Sequence, residues 1–305
     1  MPMTATHTYS TDVRGALKAA LAQLRAAAVP SHTLAAELLL MKTLGRDRTW
    51  VYSHPEEPLS PEQLAHFNAL VSRRCAGEPT QYLTGRQEFW GRDFEVGPGV
   101  LIPRPETEHV VEVALEMLGP PSEGEHFRIA DIGTGSGCIA ISLALALPGS
   151  QVIATDISEA ALAYARRNAE HHGVSGRVDF VHANFFARTG DASLIASPST
   201  LHLVVSNPPY IAQSEAAALP REVREHEPPE ALFGGPQGHE LYERLVYQAC
   251  NALQPSGVLV LELGYNGASR VRSLLDSPPA WSDVCVTNDL AGIPRVIAAR
   301  KVSRP

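Results

Sequence analysis

Apolar positions in the first 80 residues recur at spacings of three and four. Val13, Leu17, Leu21, Leu24 and Ala28 form one such stripe, closed by Pro30, and the spacing predicts a helix that buries one face. A second helix is predicted to follow, with Ser31 placed to cap it, Leu34, Leu38 and Met41 on one face, and Gly45 just past its end. A third opens with Ser60-Pro61-Glu62-Gln63, a capping-box order with proline at the first helical position, and runs through Leu64, Phe67 and Val71. The texture then changes. Glu88-Phe89-Trp90 and Phe94-Glu95-Val96 read as short strands joined by a turn at Gly91-Arg92-Asp93, and Gly97-Pro98-Gly99 ends the second. A helical stripe through Val110, Val111, Ala114 and Leu118 then leads to Gly119.

Beyond residue 126, short apolar runs alternate with helical stretches. The strands expected are Arg128–Ile132, Gln151–Thr155, Arg177–His182, Leu201–Ser206, Gly257–Leu263, Ser282–Thr287 and Arg295–Arg300. Such alternation implies crossover units and a mostly parallel seven-stranded sheet covered on both faces. The last two strands lack a helix between them, so that pair is expected to be antiparallel. The pattern divides the chain into a helical domain at 1–80, a β-hairpin linker at 81–102 and an α/β domain of Rossmann-like type at 103–305.

Composition narrows the class. With 305 residues, 44% hydrophobic and 19% charged, the chain has ample material for two buried cores, which excludes disordered, collagen-like and disulfide-rich classes. Its formal charge is −8, but unevenly spread. Residues 1–80 hold 8 basic and 7 acidic side chains, leaving 17 basic and 26 acidic for the remainder. An acidic balance argues against affinity drawn from neutralising phosphates, so no direct nucleic-acid partner is expected. Cys75, Cys138, Cys250 and Cys285 lie far apart without CxxC spacing, so no metal is expected and reduced thiols are. Met1–Arg14 has no apolar leader, and the longest apolar run, Cys138–Leu147, is interrupted by Ser142 and stopped by Pro148. A span needs about 20 apolar residues, so the expectation is a cytoplasmic protein with no membrane partner.

The first strand of the α/β region runs into Asp131-Ile132-Gly133-Thr134-Gly135-Ser136-Gly137-Cys138. Glycines there let the backbone turn sharply and approach a ligand, leaving amides at the helix start free to bind it. A dinucleotide fingerprint would need a glycine where Cys138 stands, and a P-loop would need a terminal Gly-Lys-Ser/Thr. What remains is the DxGxGxG pattern typical of S-adenosylmethionine sites, with Gly133, Thr134, Gly135, Ser136 and Gly137 as cofactor-binding positions. Asp156, ending the second strand, can accept from both ribose hydroxyls; its competing reading is a cap for the helix after Ile157. Asn184 and Phe185 follow the third strand, where they can reach the edge and face of an adenine. Core packing is the competing reading for Phe185 and the preferred one for Phe186.

The fourth strand ends in Asn207-Pro208-Pro209-Tyr210. Proline restricts both its own backbone and the residue before it, so this is a rigid mouth. The Asn207 side-chain oxygen and the Pro208 carbonyl can together accept two coplanar N–H donors, and the Tyr210 ring can lie over a flat group. The matching substrate is a planar NH2: a glutamine or asparagine amide, adenine N6 or cytosine N4. No titratable base is present and none is needed. A methylated amide nitrogen is acidic enough to lose its proton to water, so catalysis falls to positioning, which is worth on the order of 7–11 kcal/mol. Acceptors on the two N–H groups also stabilise charge developing on nitrogen. Asn207, Pro208 and Tyr210 are therefore the expected catalytic residues, Pro209 joins them in substrate binding, and Asn207 also borders the cofactor.

Taken together, the motifs resemble those of the protein-(glutamine-N5) methyltransferases that modify peptide chain release factors. The resemblance spans nearly the whole chain, through Gly77-Glu78-Pro79, Gln81 to Gly85, Glu88-Phe89-Trp90, Ile102 to Glu108, Asp131 to Ala140, Asn207 to Tyr210 and Asp289-Leu290-Ala291-Gly292. It implies an S-adenosylmethionine-dependent enzyme of translation termination that methylates the glutamine of a Gly-Gly-Gln tip, with release factors as partners and the helical domain docking them. Asn207, Pro208 and Tyr210 would then hold the amide. One position departs from the family pattern: Asn184 stands where an aspartate is expected, though its carbonyl can still accept from an adenine amino group. Arg104, Glu106 and Glu108 could close over the cofactor's methionine end, or Thr107 could cap the following helix with the two acids near its positive end. The segment 211–238 is long for a connection and reads as a lid or as a solvated acidic loop. Other readings of the same chain are a DNA adenine or cytosine amino-methyltransferase, a ribosomal-protein glutamine methyltransferase, and a non-catalytic scaffold on a methyltransferase fold.

Overall fold

Strands in the second half of the chain send alternate side chains into two different cores, and this period of two places the sheet in the middle of its domain. The structure, a computed structural model, describes residues 11–122, 124, 126–188, 200–276 and 280–302. The reading that Met1–Arg14 has no apolar leader therefore lies, for residues 1–10, outside the described residues. In chain order the elements are α1 (Val13–Ala26), α2 (His32–Leu44), α3 (Arg48–Ser53), α4 (Pro61–Cys75), α5 (Thr80–Thr84), a hairpin of β1 (Arg86–Phe89) and β2 (Arg92–Glu95), and α6 (Glu108–Leu118). There follow β3 (Arg128–Ile132), α7 (Cys138–Ala146), β4 (Gln151–Asp156), α8 (Glu159–His171), β5 (Val178–Asn184), β6 (Ala187–Arg188), β7 (Leu201–Ser206) and β8 (Ile211–Ala212). The last are α9 (Arg221–His226), β9 (Phe233–Gly235), α10 (Glu240–Ala252), β10 (Leu253–Glu262), α11 (Ala268–Leu275), β11 (Trp281–Asn288) and β12 (Pro294–Lys301). Two compact units result: residues 1–85 with 220–226, and residues 86–219 with 227–305.

The first unit is helical. Val13, Leu24, Leu39, Leu40, Phe67 and Val71 fill its core. The capping box that opens α4 forms as its sequence implies, with Gln63 N donating to Ser60 Oγ at 3.2 Å and Ser60 N donating to Gln63 Oε1 at 2.9 Å. The start of α2 differs. Ser31 has φ 49° and its side chain makes no cap hydrogen bond. The buried face of α2 is Ala35, Ala36, Leu39 and Leu40, which leaves Leu34 exposed and Leu38 and Met41 half-buried. This helix packs against both α1 and α4, and Ala35 and Ala36 are buried in the core they share. Short helices α3 and α5 carry too few residues for a periodic stripe to reveal. The unit also takes in α9, whose Glu222 pairs with buried Arg74.

The second unit is built on a mostly parallel sheet in the order β11-β12-β10-β7-β3-β4-β5-β6. Seven strands carry it, and β6 adds two residues at one edge. The final pair, β11 with β12, is antiparallel, as is β10 with β12. Leu203, Val205, Val258 and Val260 join the core under α6 and α7, while Val204, Leu259 and Leu261 join the core under α10 and α11. Strand ends move by a few residues from their expected places. The largest shift is in β10, which starts at Leu253 and carries an irregularity before Val258. The hairpin turn is Trp90-Gly91, both at positive φ (52° and 73°), so Arg92 and Asp93 belong to β2. This two-residue connection suits the twist of its strands. Phe89 and Phe94 pack edge to face, 6.0 Å apart, as part of the sheet core. Buried Asn168 of α8 ties β2 to the glycine loop: it accepts from Glu95 N (2.7 Å) and donates to Ser136 O (2.9 Å).

Candidate active site

Neighbours in the sheet, β3 and β7 are separated in sequence by β4, β5 and β6, so the direction of sheet growth reverses between them. A crevice opens beyond the carboxyl ends of parallel strands at such a switch point. Here Ile132 pairs with Ser206, and Ser206 Oγ donates to Ile132 O at 2.6 Å. Gly133 and Asn207 therefore leave the sheet side by side. A cavity of about 380 Å³ lies there, lined by Gly133 to Ser136, Asp156, Asn184, Phe185, and Asn207 to Pro209.

The glycine loop is anchored from below. Gly133 N and Thr134 N both donate to Thr155 O at 2.8 Å, and buried Asp131 accepts from Thr134 Oγ1 (2.6 Å) and Ala140 N (3.2 Å). Burial pushes the Asp131 carboxyl up to about 7 against the pull of those donors. Gly137 sits at φ 83° where the loop becomes α7, and a Cβ there would meet Ile141 Cδ1 at 2.9 Å and Ala165 Cβ at 3.2 Å. Only glycine fits both the backbone and the space. It supports the cavity wall without lining it. Asp156 accepts from Gly135 N (2.8 Å) and Ser158 N (2.9 Å), and burial raises its pKa against those amides. The helix cap is Ser158, whose Oγ accepts from Ala161 N, so Asp156 faces the cavity rather than capping α8.

At the end of β5, Phe185 takes φ 59° and turns its ring to the cavity. The Arg244 guanidinium of α10 lies over that ring at 4.5 Å from its centroid and donates to Asn184 O at 3.2 Å. Phe186 is buried core, as preferred.

Asn207 is held by a contact the spacing could not reveal. Its Nδ2 donates to Thr107 Oγ1 at 3.1 Å, which leaves Oδ1 to accept. Thr107 is buried and makes no cap hydrogen bond to α6, so the capping role expected of it is replaced by this one. Pro208 and Pro209 line the cavity; Tyr210 does not. The tyrosine packs against the α10 core and Gly264, and its hydroxyl donates to Glu262 Oε1 at 3.3 Å; burial raises its pKa. Gly234 lets β9 close on the tetrapeptide, because a Cβ there would lie 2.4 Å from Pro209 O.

In the segment 211–238 one acid is withdrawn from solvent. Glu227 is buried, pairs with Arg104 Nη2 at 2.6 Å and accepts from Ile102 N at 3.3 Å. That ion pair joins two stretches of cavity wall, Leu101 to Arg104 and Pro228 to Ala231. Glu108 accepts instead from Trp90 N at 2.9 Å. Among the described residues no His, Cys, Asp and Glu cluster could hold a metal ion, and no helix is long and apolar enough to cross a membrane.

Comparisons with known proteins match two stretches of the chain. The family model described as the PrmC N-terminal domain matches residues 15–85, and the methyltransferase small domain matches 111–224. A release factor glutamine methyltransferase of Koribacter versatilis is 42% identical over 290 residues, covering 95% of this chain and 98% of its own. One of Chlorobaculum tepidum is 44% identical over 275 residues, covering 90% and 92%. Among solved structures, a methyltransferase from Pyrococcus furiosus matches with TM-score 0.50 and 20% identity over 70% of this chain and 91% of that one. The hMettl16 catalytic domain, solved with the MAT2A 3'UTR hairpin 6, matches with TM-score 0.52 and 16% identity over 78% and 94%. These two similarities establish a methyltransferase fold.

Proposed function

The chain belongs to the release factor glutamine methyltransferase family, and from that premise we propose that it transfers a methyl group from S-adenosylmethionine to the side-chain nitrogen (N5) of the glutamine in a release factor's Gly-Gly-Gln tip. One observation carries the reading. The glycine loop and Asn207 leave adjacent strands together, with the Asn207 Nδ2 already committed to Thr107 and its Oδ1 left as an acceptor.

The residues present fit the cofactor. Asp156 offers a carboxylate on the cavity wall, Gly135 leaves room for close approach, and Ser136 Oγ is buried there without a fully formed hydrogen bond among the described residues. Gly133 to Gly137 and Asp156 would hold it, with Phe185 backed by Arg244 as a platform and Asn184 beside it. When bound, S-adenosylmethionine supplies an electrophilic methyl on a sulfonium. The chain's own residues do the rest. Asn207 Oδ1 and the Pro208 carbonyl accept hydrogen bonds from the two amide N–H groups, orient the nitrogen, and favour positive charge as it develops there. Tyr210 shapes the site from behind the cavity wall, through Glu262 and Gly264. The prolines keep the acceptors from relaxing away. No side-chain base is required, and water takes the proton that the methylated amide releases.

The helical unit, matched as the PrmC N-terminal domain, is proposed to dock the protein substrate. A DNA amino-methyltransferase is not favoured, since relatives matching nearly full length bear the release-factor description. Incubation with labelled S-adenosylmethionine should label a purified release factor and leave one with its tip glutamine replaced unlabelled. Equal labelling of both would refute the proposal.

A further inference from the structure

Asp289-Leu290-Ala291-Gly292, the turn between β11 and β12, lines no part of the cavity, yet it is firmly built. Asp289 Oδ1 accepts from Ala291 N and Ile293 N, both at 2.9 Å, and Asp289 Oδ2 accepts from Arg295 Nε at 2.8 Å. Asp289 N donates to Ile293 O at 2.8 Å, Gly292 N donates to Asp289 O at 2.9 Å, and Gly292 takes φ 79°. The frame uses up the turn's charge, because Asp289 and Arg295 neutralise each other. What it holds out is Leu290, at 105% exposure.

Sheet topology places this turn beside the tetrapeptide. Strands β7, β10 and β12 are successive neighbours, and β12 runs antiparallel to β10, so the start of β12 lies at the carboxyl end of β10. There Leu263 N donates to Arg295 O at 2.7 Å. The next residue, Gly264, packs on the Tyr210 ring so closely that a Cβ would meet Cδ2 at 2.8 Å, and Tyr265 after it is 68% exposed. Asn207–Tyr210 leaving β7, Gly264-Tyr265 leaving β10 and the Asp289 turn entering β12 thus share one edge. Among the described residues of the second unit, the large apolar side chains left exposed are Ile157, Tyr247, Tyr265 and Leu290. Ile157 lines the cavity and two more stand along the same edge, so exposure is concentrated on the side from which a substrate reaches the tetrapeptide rather than scattered.

We propose that Tyr265 and Leu290 form a docking shoulder for the polypeptide that flanks the tip glutamine of the release factor. This rests on the functional reading above. Strands stand about 4.8 Å apart, so β12 lies roughly 10 Å from β7, a distance that an extended chain covers in about three residues. A glutamine held at the tetrapeptide does not reach the shoulder, whereas the protein that delivers it does. A preformed turn loses little freedom on binding, and a tyrosine offers a large rigid face, so both suit an anchor. Gly264 to Gly267 carry no charge and Asp289 is paired, so the shoulder fits uncharged, apolar residues of the substrate.

The test combines steady-state kinetics on release factor with calorimetry on a release factor whose tip glutamine is replaced. Tyr265→Ala and Leu290→Ser should each raise KM for release factor at least about fivefold, with kcat and cofactor affinity within about twofold of wild type. Each should weaken binding of the tip-substituted release factor by a similar factor, since the shoulder meets what flanks the glutamine. Both side chains are exposed, so melting temperatures should match wild type. Tyr247→Ala, at an exposed position on α10, is the control and should change neither KM nor binding. An unchanged KM in either shoulder variant, a fall in kcat in place of a rise in KM, or an equal effect of Tyr247→Ala would overturn this inference alone. Absence of transfer to the tip glutamine by the wild type would overturn the functional reading and this inference with it.

Discussion

Replacing Arg104 by Met tests how the cavity wall is held together. Glu227 is 1% exposed at its side chain, and its partners are the Arg104 guanidinium at 2.6 Å and Ile102 N at 3.3 Å. Without the arginine, a buried carboxylate keeps one weak backbone donor. Removing one partner of a buried pair costs roughly 3–5 kcal/mol, mainly because the other charge is stranded. Arg104 is itself 32% exposed, so water relieves part of that cost and the loss should lie at the lower end, about 3 kcal/mol. For a unit of this size that corresponds to a fall in Tm of roughly 6–12 °C. Adding Glu227→Leu removes the stranded charge and leaves only Ile102 N–H without an acceptor, at about 1–2 kcal/mol. The double variant should therefore be more stable than Arg104→Met alone. Urea melts followed by fluorescence measure this, with Trp90 and Trp281 reporting on the unit concerned. A loss under about 1 kcal/mol for Arg104→Met, or a double variant less stable than the single, would refute the reasoning.

Three further outcomes are expected. Gly137→Ala must take a left-handed backbone and push Ile141 and Ala165 aside, so thermal melts should show destabilisation of roughly 2–4 kcal/mol, with cofactor affinity reduced. The Asp131 carboxyl titrates at about 7 in the folded chain, above its unfolded value near 4, so the native state binds the extra proton between them. Stability should therefore fall as pH rises through that window and level off above it. The uncharged amide of Asp131→Asn can still accept from Thr134 and Ala140, so this substitution should flatten the slope in urea melts taken at several pH values. Phe185→Ala removes the platform backed by Arg244, and calorimetry should find the cofactor bound about tenfold more weakly, since stacking on an aromatic is worth roughly 1–3 kcal/mol.

Local pattern made the sheet and its carboxyl-end motifs legible. Leu201–Ser206 could be placed because its apolar residues, interrupted only by His202, stop at a polar one, and Asn207 then had to lie at the strand end. The family resemblance rested on the same kind of contiguous motif. Contacts across long separations were not legible. Thr107 meets Asn207 across 100 positions, and Arg104 meets Glu227 across 123, so no window of sequence shows either pair. Arg244 was missed for the same reason, since it is an ordinary basic residue on an amphipathic helix until β5 brings Phe185 under it. In α2 the error had another source. Periodicity marked large apolar residues as buried, whereas α2, packed against two neighbours, buries Ala35 and Ala36 along with Leu39 and Leu40 and leaves Leu34 exposed.

The central claim is that Asn207 holds a planar side-chain amide in line for methylation. Tandem mass spectrometry of a release factor treated with the wild-type enzyme and with Asn207→Ala tests it most directly. A single methyl on the side-chain nitrogen of the Gly-Gly-Gln glutamine, lost in Asn207→Ala while the cofactor still binds, is the predicted result. A methyl on another residue, or an undiminished rate in Asn207→Ala, would contradict it.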